Sequence, residues 1–378
     1  MSARARIEAA VAEAVAAGLP GVAVAARTPD GEVVYAAAGV RGLDNPAPVT
    51  TDTVFWIASF TKAITTAAVL QLVEAGRVGL DDPAGTWLPA LARPKVLTGF
   101  DAAGAPQLKD AETAITVRHL LAHTSGLAYD FCHAELARYT ASLTGDGRPP
   151  QPPPPLMFEP GSAWTYGVGI DWAGELVAAV TGRTLDVYLA DAVFAPLGMD
   201  ETGFAVAETQ KGRQVSMHAR GDGGALGVFP FQMPPPPNPV MGGGGLYSTA
   251  GDYLKFLDAI LAGGAPILSR ESVAAMTTTE FEGPEVGVLP GVNTLLCAGF
   301  DPFPGMAKRW GLGFVINPQP GPAGRSAGSL AWAGLGNCYY WADPTTGAAG
   351  VFLAQLFPFG DPAALKAFAA FERAVYGA

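Results

Sequence analysis

The sequence predicts an α+β fold in which strands from both ends of the chain form one antiparallel sheet and helices occupy the middle. Strand-like runs lie between residues 21 and 40 and again between 310 and 357, whereas helical periodicity and long loops fill much of the chain between them. The 378 residues are 49% hydrophobic, which is enough apolar material for a sizeable core. A chain of this length exceeds one ordinary core, so we expect two domains or one large domain with an insert.

A domain assignment follows from this order of elements. Residues 1–75 and 242–378 are assigned to an α/β domain around the central antiparallel sheet, and residues 76–241 to an inserted, mostly helical domain. Clefts between two such domains commonly hold binding and catalytic sites. We therefore expect the active site in the cleft between them.

Charge and hydropathy argue against two kinds of partner. The net charge is −11, and an acidic surface repels the phosphates of nucleic acids. The sequence has no stretch of about 18 or more uncharged apolar residues, so we expect no membrane-spanning helix. The expected partner is a small-molecule substrate, with no nucleic acid and no membrane, and the oligomeric state stays open.

The cysteines and histidines predict no metal and no cofactor. The three cysteines form no CxxC pair, which argues against a disulfide framework and against a cysteine-ligated metal. His119 and His123 lie on one helix face, where they could bind a metal, but no carboxylate motif accompanies them. Packing of helix and loop is the preferred interpretation of this pair.

The N-terminus predicts an amphipathic helix rather than an export signal. Ile7, Val11 and Val15 recur every four residues, and Glu8 and Glu13 interrupt any continuous apolar segment. Since no export signal is recognised, we expect a cytoplasmic protein.

The next elements are two strands and a helix. Strand-like runs at 21–27 and 33–40 are separated by an Asp-Gly pair, which is a hairpin signal. A short apolar run then leads into a helix over 59–75, and Gly76 ends that helix. The first candidate catalytic residues lie at the junction between this run and the helix.

The rest of the chain reads as helices in the middle, then mainly strands before a last helix. Thr249 and Asp252 predict a capping box at the start of one helix, and residues 343–347 predict the turn between the last two strands. Helices are predicted at 117–123, 169–181, 185–194, 249–261 and 363–376, and strands at 310–316, 330–341 and 349–357.

The sharpest chemical signal is the sequence SFTK at residues 59–62. Its spacing places Ser59 and Lys62 one turn apart on one face of the predicted helix. A serine hydroxyl is a poor nucleophile until a base removes its proton, and a buried lysine at a helix N-terminus can be that base. Backbone N–H groups at the same N-terminus can stabilise an oxyanion.

Three further segments extend this signal along the chain. Residues 120–127 read LLAHTSGL, 158–166 read FEPGSAWTY and 243–249 read GGGLYST. In this order, and with SFTK before them, they resemble the serine β-lactamase superfamily, specifically the class C-like branch that includes the family VIII carboxylesterases. The resemblance extends from about residue 21 to residue 378 and implies the β-lactamase/transpeptidase-like fold.

The resemblance implies a role for each matching residue. Ser59 would be the acylated nucleophile, and Lys62 would be its base or would orient the base. Tyr166, in the position of the family's tyrosine, would pass the proton to the leaving group and then activate water. These three residues are the catalytic set that the resemblance predicts.

A third family element is a strand that faces the serine, and its best match is WAG at residues 332–334. Family VIII esterases also carry a tryptophan there, so the resemblance implies that Trp332 and Gly334 contact the substrate. The backbone N–H groups of Ser59 and Leu335 would form the oxyanion hole. Sheet packing is the alternative interpretation of Trp332.

Two aromatic residues that follow the HTSG segment are further candidates for substrate contact. Tyr129 and Phe131 would add apolar surface around Ser59. Core packing explains them equally well, so both interpretations stay open.

Departures from the family pattern bear on the substrate. The sequence contains neither Lys-Thr-Gly nor Ser-Asp-Asn, and Val168 stands where class C enzymes have asparagine after their tyrosine. Penicillins and D-Ala-D-Ala peptides carry a carboxylate, which that missing lysine normally neutralises through a contact worth about 1.5–3 kcal/mol. A tryptophan offers apolar surface instead, which favours neutral esters.

A second serine motif competes for attention. Residues 324–328 read GRSAG and fit the G-x-S-x-G nucleophile elbow, which needs a strand before it and a helix after it. Here a proline-rich loop precedes Ser326 and a strand follows it, so we interpret the motif as a hairpin loop.

The function that fits these observations is a carboxylesterase that cleaves small to medium neutral esters through an acyl-Ser59 intermediate. Three alternatives stay open: a β-lactamase or D-alanyl-D-alanine peptidase, an acyltransferase that uses the same acyl-enzyme, and a binding module with an inactive site. The sequence does not specify the natural ester or its acyl length.

Overall fold

The computed structural model describes residues 1–144, 153–233, 240–278 and 285–378. It contains one large sheet, three small ones, and helices on both faces of the large sheet. The strands are β1 (Gly21–Arg27), β2 (Val33–Gly42), β3 (Asn45–Pro48), β4 (Phe55–Trp56), β5 (Lys95–Phe100), β6 (Pro106–Asp110), β7 (His218–Arg220), β8 (Leu226–Val228), β9 (Tyr247–Ser248), β10 (Arg309–Trp310), β11 (Val315–Ile316), β12 (Leu330–Gly334), β13 (Cys338–Ala342), β14 (Ala349–Leu353) and β15 (Leu356–Phe357).

One helix lies near each end of the chain, and the other described helices lie between them. None of the described helices combines the length and the apolar content that crossing a membrane requires. The helices are α1 (Ala3–Ala16), α2 (Thr61–Glu74), α3 (Val117–Leu121), α4 (Ala134–Thr144), α5 (Gly169–Thr181), α6 (Leu185–Leu189), α7 (Ala195–Leu197), α8 (Ala250–Leu261), α9 (Arg270–Thr277) and α10 (Pro362–Tyr376).

The large sheet joins the two ends of the chain, as the order of elements predicts. Within the described residues it has eight strands in the order β10-β11-β12-β13-β14-β1-β2-β3, and all neighbours are antiparallel. The contact between the two ends is the β1–β14 pair, in which Val24 lies opposite Phe352. The predicted α+β fold is confirmed, while the domain boundaries at 75 and 241 stay a prediction.

Helices cover both faces of this sheet, so that β13 is buried on both sides. Tyr339 packs on Phe368 of α10 on one face, with ring centroids 4.8 Å apart. Tyr340 packs against Phe60 and Tyr253 on the other face, at 4.6 and 4.9 Å. Alternate residues of one strand therefore fix α10 and the α2–α8 pair on opposite sides.

Three predicted strands are wrong in extent, and two of the errors have a backbone cause. The strand predicted at 310–316 is the β10–β11 hairpin, since Gly313 adopts φ +90° in its turn. The strand predicted at 330–341 is the β12–β13 hairpin, where Asn337 has φ +59°. The strand predicted at 349–357 divides into β14 and β15, and β15 leaves the large sheet to pair with β7.

The predicted ends of two helices also have structural outcomes. Gly76 follows α2 with φ +64°, so the predicted helix end is confirmed. At α8 the Thr249 hydroxyl accepts from the Asp252 N–H at 3.2 Å, which is the first bond of the predicted capping box. The Asp252 carboxylate itself accepts from the Glu201 N–H at 2.8 Å.

Candidate active site

Ser59 lies in a single 3₁₀ turn, Ala58–Phe60, that connects β4 to α2. Ala58, just before it, has φ +46°, a conformation that costs energy for a residue with a side chain. The Thr61 hydroxyl donates to the Ala58 carbonyl at 2.6 Å and so supports the turn. The strained backbone places the Ser59 hydroxyl at the opening of the helix rather than on its side.

The Ser59 hydroxyl oxygen meets two other polar side chains. The Tyr166 hydroxyl lies 2.6 Å from Ser59 Oγ, and Lys62 Nζ lies 3.2 Å from the same atom. The Lys62 side chain is fully buried, although its amine reaches the edge of the site. The structure therefore brings together the three residues that the sequence predicts as catalytic, while their roles stay a prediction.

Tyr166 reaches Ser59 from a loop that packs unusually close to a neighbouring loop. A Cβ atom at Gly167 would lie 1.9 Å from the Leu127 carbonyl oxygen, so this position requires glycine. The Tyr129 N–H donates to the Tyr166 carbonyl at 3.2 Å and ties the two loops together. On its other side, the Tyr166 hydroxyl accepts from Trp332 Nε1 at 3.3 Å.

Lys62 is held by a polar group of residues that we call the Lys62 network, made of Lys62, Tyr129, Asp171 and Gly243. Lys62 Nζ donates to the Tyr129 hydroxyl at 3.1 Å and to the Gly243 carbonyl at 2.6 Å. Asp171 accepts from the Tyr129 hydroxyl at 2.8 Å and from the Gly243 N–H at 2.9 Å. Burial, followed by the charge of Asp171, raises the pKa of Tyr129 well above its usual value, so its hydroxyl keeps its proton.

The other side of Ser59 is a small apolar cavity of about 20 Å³. It contains the predicted substrate contacts Trp332 and Phe131, but Tyr129 does not line it and belongs to the Lys62 network instead. The residues that line the cavity are Ser59, Phe131, Tyr166, Leu289, Trp332, Ala333, Leu335 and Phe359.

The end of β12 approaches the Ser59 turn closely enough to require glycine. A Cβ atom at Gly334 would lie 2.5 Å from the Ile57 carbonyl oxygen. This contact brings Leu335 to the wall of the cavity that Ser59 also lines. The position is consistent with an oxyanion hole built from the N–H groups of Ser59 and Leu335, and that role stays a prediction.

His123 lies behind Tyr166, with ring centroids 4.9 Å apart. Its burial, followed by the positive charge of Lys62, holds the pKa of His123 well below its usual value, so the ring is neutral. Its Nδ1 accepts from the Gly167 N–H at 3.4 Å, and His119 Nδ1 accepts from the Thr116 N–H at 3.2 Å. Among the described residues, no group of three His, Cys, Asp or Glu side chains could hold a metal ion.

Two other nucleophiles can be compared with Ser59. Burial raises the pKa of the Cys132 thiol to about 12, so the thiol stays protonated at neutral pH. Ser326 lies in the turn between β11 and β12, and its N–H donates to Asp343 at 2.9 Å. The interpretation of GRSAG as a hairpin loop is confirmed.

Sequence reasoning missed several residues of this site. Asp171 and Gly243 complete the Lys62 network, and Leu289 and Phe359 line the cavity. The run of four glycines at 242–245 was the available signal for a close approach of backbone to side chain. Nothing comparable marks Leu289 or Phe359 in the sequence.

The chain is similar in sequence to a known family and to characterised enzymes. The family profile named Beta-lactamase matches residues 7–374. Monacolin J acid methylbutanoyltransferase of Aspergillus terreus is 32% identical over 95% of this chain and 92% of its own length. A lovastatin esterase of Penicillium rubens is 32% identical over 83% of each chain.

A solved structure extends the similarity to three dimensions. The unliganded simvastatin synthase of Aspergillus terreus superposes with a TM-score of 0.86 at 31% identity. The match covers 100% of this chain and 98% of that one. Similarity in sequence and in fold therefore extends over nearly the whole molecule.

Proposed function

This chain belongs to the Beta-lactamase family, and from that premise we propose that it transfers a short, neutral acyl group from Ser59 to an alcohol. Enzymes of this superfamily that resemble the chain carry out acyl transfer or ester hydrolysis. Both reactions share one intermediate, in which the acyl group is bonded to the serine oxygen.

The observation that carries the proposal is the pair of contacts on Ser59 Oγ. Tyr166 at 2.6 Å is placed to take the hydroxyl proton, in its deprotonated form, as Ser59 attacks the acyl carbonyl carbon, and the Lys62 ammonium at 3.2 Å from the same oxygen would stabilise that phenolate. The carbonyl oxygen then carries the negative charge, for which the N–H groups of Ser59 and Leu335 are the proposed donors. Return of the proton to the leaving group produces acyl-Ser59, and the acceptor alcohol repeats these steps in reverse.

The cavity supports a small and uncharged acyl group. Its volume is only about 20 Å³, and none of the described residues lining it carries a charged side chain. The relative from Aspergillus terreus is named for methylbutanoyl transfer, and methylbutanoyl is a branched five-carbon acyl group of this kind. A β-lactam carboxylate would find no cation among these lining residues, which argues against the β-lactamase alternative.

The choice between transfer and hydrolysis depends on what attacks acyl-Ser59. The sequence favoured hydrolysis, because the WAG segment resembles family VIII esterases. The relatives named as methylbutanoyltransferases favour transfer to an alcohol. Hydrolysis remains the second candidate, supported by the similar lovastatin esterase.

The test is to incubate the protein with short-chain p-nitrophenyl esters and a series of alcohols, and to quantify ester and free acid by mass spectrometry. We expect acyl transfer to at least one bulky alcohol to exceed hydrolysis. Ser59→Ala should lower both products by on the order of 10⁴-fold. Ser326→Ala, a matched serine outside the site, should behave as wild type.

Two results would count against the proposal, and they differ. Free acid alone with every alcohol would make the protein a hydrolase that uses the same intermediate. Activity retained in Ser59→Ala would remove acyl-Ser59 from the reaction altogether.

A further inference from the structure

Asp171 lies in the first turn of α5, and each of its carboxylate oxygens has a different partner. Oδ1 accepts from the Gly243 N–H at 2.9 Å, and Oδ2 accepts from the Tyr129 hydroxyl at 2.8 Å. Neither oxygen contacts Ser59 or lines the apolar cavity. Asp171 is therefore outside the reacting atoms, although both of its partners touch Lys62.

The direction of these hydrogen bonds matters for Lys62. A tyrosine hydroxyl has one proton, and Tyr129 donates that proton to Asp171, so its lone pairs face Lys62 Nζ at 3.1 Å. The Gly243 peptide donates its N–H to Asp171 and presents its carbonyl to Nζ at 2.6 Å. Of the three protons of a lysine ammonium, two are directed by Asp171, and the third faces Ser59 at 3.2 Å.

We propose that Asp171 is a positioning residue that aims the Lys62 amine at Ser59 by ordering the Tyr129 hydroxyl and the Gly243 peptide as acceptors. This inference rests on the proposed function, since it assigns a step to the same acyl-Ser59 chemistry. The carboxylate also balances a cation that is buried two hydrogen bonds away.

Packing around Gly243 supports a dedicated arrangement. A Cβ atom there would lie 2.3 Å from Asp171 Oδ2 and 2.7 Å from the Tyr129 hydroxyl. Only glycine lets the carboxylate, the hydroxyl and the peptide converge on one amine. The preceding Gly242 carbonyl accepts from the Thr65 hydroxyl at 2.7 Å, which fixes the glycine segment to α2.

Asp171 is the carboxylate of the Lys62 network, so its loss should be visible in a pH profile. Removing a partly buried anion makes protons easier to lose from the groups around it, which moves the rising limb of the profile to lower pH. Among the residues that the structure describes, the titratable side chains around Lys62 include Tyr129, Tyr166, Asp171, His123 and Cys132.

The experiment measures the rate at which a fluorophosphonate labels Ser59, by intact-mass spectrometry, between pH 5.5 and about 9. Asp171→Asn keeps the shape of the side chain but offers one acceptor instead of two. We expect labelling to slow by about ten- to hundred-fold, with its midpoint moved to lower pH. Asp252→Asn, which alters a buried carboxylate at the start of α8, should keep the wild-type rate and midpoint.

A second variant tests the route through the tyrosine. Tyr129→Phe should also slow labelling. The double variant should be little slower than Asp171→Asn, because both substitutions interrupt the same series of contacts between Asp171 and Lys62. Independent, multiplying losses would overturn the inference, as would a wild-type rate and pH profile in Asp171→Asn. If Asp171→Asn does not fold, a wild-type rate and pH profile in Tyr129→Phe overturns the inference.

The outcome separates the inference from the function on which it rests. Absence of label on Ser59 of the wild type would remove the proposed function, and the inference with it. Normal wild-type labelling with an unaffected Asp171→Asn would remove the inference alone.

Discussion

Two buried cations lie on opposite faces of the large sheet, and they are held in different ways. Arg325, on the α10 face, pairs with both carboxylate oxygens of Glu372, and both side chains are over 90% buried. Its guanidinium also lies 5.4 Å from the centre of the Trp341 ring. Lys62, on the α2 face, contacts three neutral oxygens directly, and the nearest carboxylate of its network, Asp171, lies one group further away.

The difference separates a cation that serves the fold from one that serves chemistry. The Arg325–Glu372 pair is a closed contact: the guanidinium donates one hydrogen bond to each carboxylate oxygen, and the two charges neutralise each other. The Lys62 amine retains a contact with the Ser59 hydroxyl, since its acceptors are neutral and do not bind it as tightly as a carboxylate. Arg325 belongs to the GRSAG segment, so a motif that suggested catalysis in the sequence contributes a structural ion pair.

The largest effect on activity is expected when the Lys62 amine is removed. Lys62→Met keeps the length of the side chain and removes the amine, so acyl transfer should fall by about 10²–10⁴-fold. Thermal stability should fall less than when a fully buried ion pair is broken, because Asp171, the anion left behind, is only partly buried and keeps its hydrogen bonds to Tyr129 and Gly243. Turnover of short p-nitrophenyl esters and calorimetry measure the two quantities. A loss of less than ten-fold in turnover would contradict the role of Lys62.

The second prediction concerns the ion pair on the α10 face of the sheet. Glu372→Gln leaves a buried guanidinium without its anion and should lower the free energy of unfolding by about 3–5 kcal/mol. Activity of the folded molecules should be unchanged, since neither residue lines the Ser59 cavity. Denaturant unfolding and active-site titration test this pair of statements.

A double variant is the control for Glu372→Gln. Arg325→Met with Glu372→Leu removes both charges and should recover much of the lost stability. A stable single variant, or one whose folded molecules lose activity, would show that the ion pair is not the closed structural contact described above.

The smallest expected effect is the contribution of His123 to the pH dependence of the free energy of unfolding. The pKa of His123 is held well below 6.5 in the folded protein, so unfolding takes up a proton once the pH falls below about 6.5. Stability is therefore lost as the medium becomes more acidic. In His123→Asn, a residue that also tolerates the φ of +57° found here, the slope between pH 6.5 and 5.5 should be smaller by up to about 1.4 kcal/mol per pH unit.

Denaturant unfolding at several pH values measures that slope in both proteins. Burial also lowers the pKa values of the other three histidines, but they are present in both proteins and cancel in the difference. Equal slopes would mean that His123 is already protonated in the fold or remains neutral on unfolding.

Local patterns predicted much of the fold, and one failed strand shows what they do not contain. The strand at Gly21–Arg27 and the helix at Gly169–Thr181 agree residue for residue with their predicted ranges, because periodicity and end signals are written along the chain. The strand predicted at 330–341 failed because its apolar residues continue through a hairpin turn, where Asn337 supplies the bend. Apolar content alone does not reveal a reversal of direction.

The candidate site divides in the same way. Ser59 and Lys62 are one helical turn apart, so their proximity follows from spacing alone. Tyr166 and Trp332 came from a family resemblance, which carries positional information that composition does not.

What the sequence determined by itself was the order of strands and helices and the local geometry of the Ser59–Lys62 pair, since both depend on neighbours along the chain. Tertiary structure alone decided that Asp171 and Gly243 close around Lys62, and that Leu289 and Phe359 complete the cavity. These residues come from separate segments, and their meeting depends on close packing of the whole core. A pattern of residue types specifies which faces are buried, but it contains no distances between segments that are remote in the chain.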